Sequence, residues 1–515
     1  MSILVHTHDG AALTLEPNPG DTLAHTIFLS GIWHDVALCS GLGKCGLCKV
    51  RYISDAPAPN RDELKKLGQD ALNTGWRLAC LHSSETCEIE VPKPIRSQRM
   101  LRLRGTDVGD YTLAVDLGTT SIHSSILING KQKAATQELN PQAGMGSEVM
   151  SRLAAASTVE GRATLKSLVK KQLVDLCKAT AINVHGKCMG LAVSGNPAMI
   201  YLLLGMKPED IATAPYELSY TGGTDEFIAP SLPPAYIPPL LAPFVGADIS
   251  AGLTAIEYGG QSKYPFLLAD LGTNGEFILA LSPEKRLCAS VPMGPALEGV
   301  GLSFGRTAGP GTITSFGLTP SGLVPHNFEG TTDEPTGMTG TGYLSLVSIL
   351  RTHGVLDESG HFGQGNTPLA AKLAHNVTTI TDEPAFRLNN GLYLPASDIE
   401  EIMKVKAAFN LAMSALLEEA GITPSQLTAI HIAGALGEHV SLNDLEVLGF
   451  LPPGTRTKAV KAGNTSLKGT ELILTDPGAR AFVETLPDTI TALDLTEDET
   501  FGDRYLARMR FTYVD

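Results

Sequence analysis

The sequence lacks three things: a long apolar run, a basic-then-apolar start, and an excess of positive charge. No stretch of about eighteen apolar residues occurs, so nothing is expected to span a membrane. Met1–Gly10 carries His6, His8 and Asp9 where a secretory signal needs basic and then apolar residues, so a cytoplasmic location is expected. Lysine and arginine number 39 against 54 aspartates and glutamates, a formal net charge of −15. Repulsion then disfavours nucleic acid or an anionic membrane as the main partner. Cysteine is also scarce, with eight in 515 residues, but it is not scattered. Cys39, Cys45, Cys48, Cys80 and Cys87 crowd into the N-terminal end, and in a reducing compartment such clustering points to metal rather than disulfides. The rest is ordinary: 43% hydrophobic and 18% charged residues suit a globular chain, and 515 residues are too many for one core.

Leu38–Arg51 reads LCSGLGKCGLCKVR, and Cys80 follows in the segment Arg77-Leu78-Ala79-Cys80. Three thiolates from one tight loop and a fourth from a distant one are a common way to hold a 2Fe–2S cluster, which assigns Cys39, Cys45, Cys48 and Cys80 as ligands. Gly41, Gly43 and Gly46 alternate with them and let the backbone wrap the inorganic core with its amides toward sulfur. A structural zinc site would more often show a second Cys-x2-Cys pair or a Cys/His pair. Cys87 lies in a strand pattern and reads as packing. Lys44, Lys49 and Arg51 read as solvated charge, with steering of an acidic redox partner as the alternative. A hairpin over Ser2–His8 and Ala11–Glu16, a helix over Thr22–Ser30 and a strand over Cys87–Val91 complete residues 1–92. This segment resembles the adrenodoxin-like ferredoxins, whose first cysteine gap is five residues. The resemblance implies an α+β ferredoxin-like (β-grasp) domain.

Residues 93–110, with Pro94 and several arginines, read as a linker. Beyond it the chain repeats itself. Leu113–Leu127 (LAVDLGTTSIHSSIL) and Leu267–Leu281 (LLADLGTNGEFILAL) each run apolar strand, Asp-Leu-Gly-Thr, apolar strand. Asp116 and Asp270 suit Mg²⁺ held through water; Gly118 and Gly272 admit a phosphate close to the backbone; Thr119, Thr120, Thr273 and Asn274 add donors. One such turn is a weak signal, whereas two in equivalent settings are a strong one. Gly190–Ile200 and Ala429–Val440 form a second pair, each a strand, a glycine and a helix start. Asn196 is the expected N-cap and Pro197 the first helical residue. Gly434 and Gly437 would let a nucleoside lie against the backbone. Ser397–Ala420 reads as a helix opened by a capping box of Ser397 and Glu400, and Pro230–Pro243 as a turn-rich connection. Cys177, Cys188 and Cys288 read as isolated buried thiols.

Over Tyr111–Thr485 these motifs resemble the actin, sugar-kinase and heat-shock ATPase superfamily. That resemblance implies an α/β duplicated ribonuclease-H-like fold, with residues 111–245 as the first half and 246–515 as the second. It also implies that ATP is held by Asp116, Gly118, Thr119, Thr120, Asp270, Gly272, Thr273 and Asn274, with Gly434 and Gly437 as the adenosine loop. Many members have paired glycines where this chain has Ala433-Gly434.

A ferredoxin joined to such an ATPase resembles the reductive activators of corrinoid proteins; Val291–Gly301, Gly305–Ile313 and Gly463–Gly469 are also similar to stretches of that family. The family resemblance implies a 2Fe–2S cluster, ATP and Mg²⁺ as cofactors. The implied partners are a corrinoid methyl-carrier protein and a low-potential electron donor, with a homodimer left open. The implied reaction is the one-electron return of Co(II) to Co(I). A cluster near roughly −400 mV would need nucleotide-driven closure of the halves to help it. The corrinoid protein is expected to dock on the ATPase domain around Gly294–Gly301, with Glu298 as the functional residue to test. Two rivals stand beside this reading. One is a small-molecule kinase with a redox-regulatory ferredoxin, for which Asp248 is the candidate base; the other is a non-enzymatic electron-carrier scaffold.

Overall fold

A computed structural model describes every residue except 1, 19, 34–42, 44–45, 94–98, 102–105, 147, 261–262, 300, 329–333, 366, 389–390 and 496–497. The N-terminal sheet has five strands, in the order Ala12–Leu15, Ile3–Thr7, Cys87–Val91, Lys49–Tyr52 and Trp76–Leu78. Ile3–Thr7 runs antiparallel to Ala12–Leu15 and parallel to Cys87–Val91. The helix Leu23–Leu29, N-capped by Thr22, packs its apolar face into the same core through Leu23, Ile27 and Phe28. This is the ferredoxin-like β-grasp.

Two larger sheets follow, and their strand orders show the duplication directly. In the first, Ala235–Ile237, Cys188–Gly195, Tyr111–Leu117, Ser121–Ile128 and Lys131–Leu139 are successive neighbours. In the second, Ala459–Gly463, Ala429–Ala433, Phe266–Leu271, Asn274–Ser282 and Lys285–Pro292 repeat that arrangement. Each is a three-strand antiparallel meander with two parallel strands beside its first member. The first meander strands read as apolar runs because both sheet faces are covered. Leu113, Ala114, Val115 and Leu117 are fully buried, and so are Phe266, Leu267, Leu268, Ala269 and Leu271. The aspartates occupy matching registers, Asp116 opposite Ser194 and Asp270 opposite Ala433.

Three sequence expectations meet a different structure. Part of the linker is a strand: Arg99–Leu101 pairs antiparallel with Lys131–Leu139 at the edge of the first large sheet. The proline-rich connection contains the strand Ala235–Ile237, paired on both sides. The long helix is Ala396–Ala420, capped at Pro395 without a side-chain bond, and there is no Ser397/Glu400 box. The strand Tyr393–Pro395 runs straight into that helix, and Ser397 gives its backbone N–H to Glu383 instead, at 3.0 Å. No helix among the described residues is long and apolar enough to cross a membrane.

The helices Ala247–Leu253 and Thr465–Thr475 pack together between the two large sheets. Thr465–Thr475 lies against Tyr111–Leu117 and Cys188–Gly195, so an element late in the chain covers strands of the first half. The helices meet at Gly469, where a Cβ would stand 1.7 Å from the Ala251 carbonyl oxygen. Gly469→Ala gains about 1 kcal/mol of helix propensity but forces backbone against backbone. The overpacking exceeds that gain, and a net loss of about 2 kcal/mol is expected. Thermal unfolding of the variant should show a lowered Tm; an unchanged Tm would contradict this packing.

Candidate functional site

Both Asp-Leu-Gly-Thr turns open into one cleft between the halves. Asp116, Gly118, Thr119 and Thr120 line one wall; Asp270, Gly272, Thr273 and Asn274 line the other; Glu298 and Gly434 join them. The turns touch, with Thr120 Oγ1 3.3 Å from Thr273 Oγ1. Asn140 Nδ2 donates to the Gly118 carbonyl at 2.8 Å, and Asn196 Nδ2 donates to Thr119 Oγ1 at 3.1 Å. Asn196 also caps the helix Pro197–Leu204, so helix start and turn are fixed by the same side chain. On the other wall the Thr273 carbonyl accepts the N–H groups of Met293 and Gly294 at 3.2 and 2.8 Å. Thr273 Oγ1 in turn donates to the Glu298 carboxylate at 3.4 Å.

The strongest contacts cross between the halves. Asn464 Nδ2 donates to Asp116 Oδ2 at 2.7 Å, and Ser466 Oγ donates to Asp116 Oδ1 at 2.8 Å. Asn464 is the N-cap of Thr465–Thr475, so a helix N-terminus with its positive dipole end faces this carboxylate. Gly463–Gly469 stood in the sequence only as a family-like stretch; its first polar residues turn out to hold the first aspartate.

Gly434 and Gly437 part company. Gly434 has φ +85°, and a Cβ there would come 2.6 Å from Asp270 Oδ1, so only glycine lets the strand end run this close to the second turn. Gly437 does not line the cleft: its Cα packs on the preceding strand, where a Cβ would stand 2.4 Å from the Ile432 carbonyl oxygen. Glu298 was expected on a partner-docking surface. It lies in the cleft instead, because the Met293 and Gly294 amides bind the Thr273 carbonyl and bring the following turn inward.

Sequence reasoning left out one carboxylate of the cleft and underused another. Asp248 entered as a kinase base, with a turn or a place in the metal shell as the alternatives; Glu276 did not enter at all, although a charged residue inside the apolar run NGEFILAL was a signal. As i+2 to Asn274 it points to the same face. Glu276 accepts the Gly246 N–H at 3.2 Å. Burial drives Asp270 and Glu276 well above the usual carboxyl range, with the neighbouring carboxylates adding to it. Burial, then the charge of Asp116, pushes Asp248 up to about 7. Burial raises Glu298 too, against the opposing hydrogen bonds of Thr120 and Thr273. So many carboxyl groups in one buried cleft suit a cation. Among the described residues no three of them are arranged to cage an ion alone.

At the N-terminal end, Lys49 pairs with Leu78 across antiparallel strands, which sets Cys48 and Cys80 at the same end of the ladder. Their sulfurs are 3.3 Å apart and buried. Two thiolates on one tetrahedral metal at about 2.3 Å would stand about 3.8 Å apart, so the pair fits ligation of one iron with a small adjustment. Around it, Glu63 accepts the Leu78 N–H at 2.7 Å, and buried Arg77 donates to the Pro57, Leu72 and Trp76 carbonyls. Cys39 and Cys45 lie outside the described residues. Cys87 pairs with Ile3 in the sheet, and burial pushes its thiol up to about 11, which suits a packing role. Lys49 sits 5.5 Å from the centre of the Trp76 ring and Arg51 pairs with Glu90 at 2.9 Å, so both have local partners; Lys44 lies outside the described residues. Cys177 and Cys188 are not isolated from one another: each thiol shifts the other, lowering Cys177 and raising Cys188.

A duplicated ATPase-type fold with an acidic cleft, preceded by a ferredoxin-like domain with paired buried thiols, defines a protein that joins an ATPase-type fold to a ferredoxin-like module. Residues 265–515 match the family model described as the C-terminal, ASKHA domain of RACo, and residues 111–260 match that of the RACo middle region. The chain belongs to this family. The corrinoid activation enzyme RamQ of Eubacterium limosum is 27% identical over 429 residues, 78% of this chain and 70% of that protein. A Methanosarcina barkeri reductase named for the Co(II) methylated amine-specific corrinoid protein is 25% identical over 445 residues, 78% of this chain and 77% of that protein. A solved structure described as a reductive activator for corrinoid, iron-sulfur protein has a TM-score of 0.70 at 21% identity, covering 100% of this chain and 99% of its own.

The Asp248 shift has a testable sign. Between about pH 4 and pH 7 the folded chain holds a proton that the unfolded chain has released, so this group's contribution to stability falls as pH rises through that window. Without nucleotide or divalent metal, Asp248→Asn should raise Tm by several degrees at pH 8 and leave it nearly unchanged at pH 4. An equal Tm at pH 8 would show that the carboxyl carries no such strain.

Proposed function

We propose that this chain is an ATP-dependent reductive activator of a corrinoid protein, an oxidoreductase that returns an inactive Co(II) corrinoid methyl carrier to Co(I) and so supports methyl transfer. The observation that carries the reading is the union, in one member of this family, of the Cys48–Cys80 sulfur pair and the cleft between two homologous phosphate-type turns. Cys39, Cys45, Cys48 and Cys80 would hold a 2Fe–2S cluster, which supplies one-electron transfer. The buried setting of Cys48 and Cys80, clamped by Glu63 and Arg77, keeps water from two of the sulfurs.

In the cleft, the Gly118–Thr120 and Gly272–Asn274 turns offer backbone amides and hydroxyls to the ATP phosphates. Asp116 and Asp270 would take Mg²⁺ through water, which relieves the repulsion among the buried carboxylates. Gly434 leaves the second wall open beside the nucleoside. Glu298 orients the Thr273 hydroxyl and is a positioning residue of the cleft. Because Asp116 belongs to one half and its partners Asn464 and Ser466 to the other, ligands at this point act on how the halves sit together. Differential binding to two such arrangements is how ATP would do work on the partner. The electron would come from a separate low-potential donor, and the setting is cytoplasmic.

The test is anaerobic reduction of a Co(II) corrinoid methyl carrier by the purified chain and a low-potential reductant, followed by visible absorption. Co(I) should form with ATP, not without it, and Asp116→Ala and Cys45→Ala should each lower the rate at least about 100-fold, roughly 2.7 kcal/mol. No ATP-dependent Co(I) with several corrinoid carriers, while the cluster and ATP binding stay intact, would overturn the reading and favour a small-molecule kinase.

A further inference from the structure

The ferredoxin-like domain touches both halves of the ATPase fold, at two separate places. On the first half, the Phe28 ring lies directly on Gly144, where a Cβ would come within 1.9 Å of the ring. His25 Nε2 is 3.1 Å from Met145 Sδ beside it. On the second half, the Lys66 stem covers Gly46, which lies between Cys45 and Cys48; a Cβ on Gly46 would be 2.7 Å from Lys66 Cε. The Lys66 ammonium donates to the Ser303 carbonyl and lies 5.3 Å from the centre of the Phe304 ring. One lysine therefore spans the cysteine loop and the ATPase.

Each contact leads back to Glu298. Arg152 is fully buried and donates through Nε to the Gly146 carbonyl at 2.8 Å, holding the segment on which Phe28 and His25 rest. Its positive charge also acts on Glu298. On the other side, Ser303 follows Glu298 by five residues. It is fixed by the Asp398 carboxylate, which accepts its N–H at 3.0 and 3.1 Å and its hydroxyl at 3.0 Å, while Phe304 N–H donates to Tyr343 Oη at 2.9 Å. Glu298 has one bonded partner and feels one further charge, that of Arg152. It now accepts from Thr273, at the point where the two turns touch. Arg152 Nη2, buried and with no hydrogen-bond partner among the described residues, offers another. A phosphate that draws the Thr120 and Thr273 hydroxyls toward itself would shift Glu298 from Thr273 toward Arg152. In that case Glu298 would be a two-state element biased from both sites, the physical requirement for coupling.

We propose that Glu298 and Lys66 couple the cleft to the cluster-bearing domain, so that filling the cleft and seating the ferredoxin-like domain across both halves are one linked equilibrium. The path runs through Arg152 and Gly146 to Phe28 on one side, and through Ser303 and Phe304 to Lys66 on the other. This rests on the reading of the cleft as a nucleotide site. It adds positioning roles for Lys66 and Gly144, neither of which touches the cleft.

The linkage is tested anaerobically on the full cluster-loaded chain, comparing native protein with Lys66→Met, Lys66→Arg and Gly144→Ala. Gly144→Ala presses on Phe28, which also belongs to the ferredoxin-like core, so the visible spectrum of the cluster checks that each variant keeps that domain folded. Amide hydrogen exchange of Leu23–Leu29 is measured with and without a non-hydrolysable ATP analogue and Mg²⁺, and the analogue's affinity by calorimetry. In native protein the analogue should change exchange in Leu23–Leu29. In Lys66→Met and Gly144→Ala that response should vanish and the Kd shift at least about 5-fold, the reciprocal effect linkage demands, with Lys66→Arg restoring both. Tight analogue binding with no exchange response, and equal Kd in all four proteins, would overturn the coupling alone. No analogue binding by native protein would overturn the nucleotide reading and the coupling with it.

Discussion

Asp116 is a partly buried carboxylate of one half whose two oxygens are held by Asn464 and Ser466 of the other. The rest of the cleft depends on this contact. Hydrogen bonds to a charged group contribute about 1.5–3 kcal/mol each, and here they act across the junction rather than within one sheet. The first turn, built on Asp116, is therefore completed only when the helix Thr465–Thr475 lies over the first sheet. Gly469 permits that placement, since the Ala251 backbone leaves no room for a side chain. The Thr120–Thr273 contact then closes the other end of the cleft. A duplicated fold assembled in this way has one site made from two halves, and its geometry is the relative position of those halves.

The ferredoxin-like domain is set on the same junction. Its helix Leu23–Leu29 rests on the segment around Gly144 in the first half, and Lys66 reaches Ser303 in the second. A redox module attached to one half alone would be carried along by any rotation. Resting on both, it feels the angle between them. The acidic cleft and the ferredoxin-like domain thus share the two halves as a common support.

Much of this was legible because local patterns carried it. The two Asp-Leu-Gly-Thr turns, the Asn196 cap and the Leu-Ala-Cys context of Cys80 are short-range signals, and their strands form for the periodic reasons the residues suggest. What stayed hidden was long-range. Asn464 and Ser466 stood only within a family-like stretch, and nothing nearby indicates that they face Asp116, more than three hundred positions away. Ser397 looked like a capping-box residue, but the true helix start depends on Glu383 in a neighbouring strand. Glu298 sat in a glycine-rich stretch suited to an exposed loop; two backbone bonds to Thr273 turn it inward. Gly437 looked like a nucleoside contact and is a packing glycine, because the helix after Ala433 turns its Cα against Ile432.

The account's central claim is that the paired turns form a single phosphate site joining the halves. A crystal structure of the chain with Mg²⁺ and a non-hydrolysable ATP analogue tests it most directly. The account predicts phosphates between Gly118–Thr120 and Gly272–Asn274, with the metal nearest Asp116 and Asp270. An analogue bound elsewhere, with both turns unchanged and no metal beside either aspartate, would contradict it.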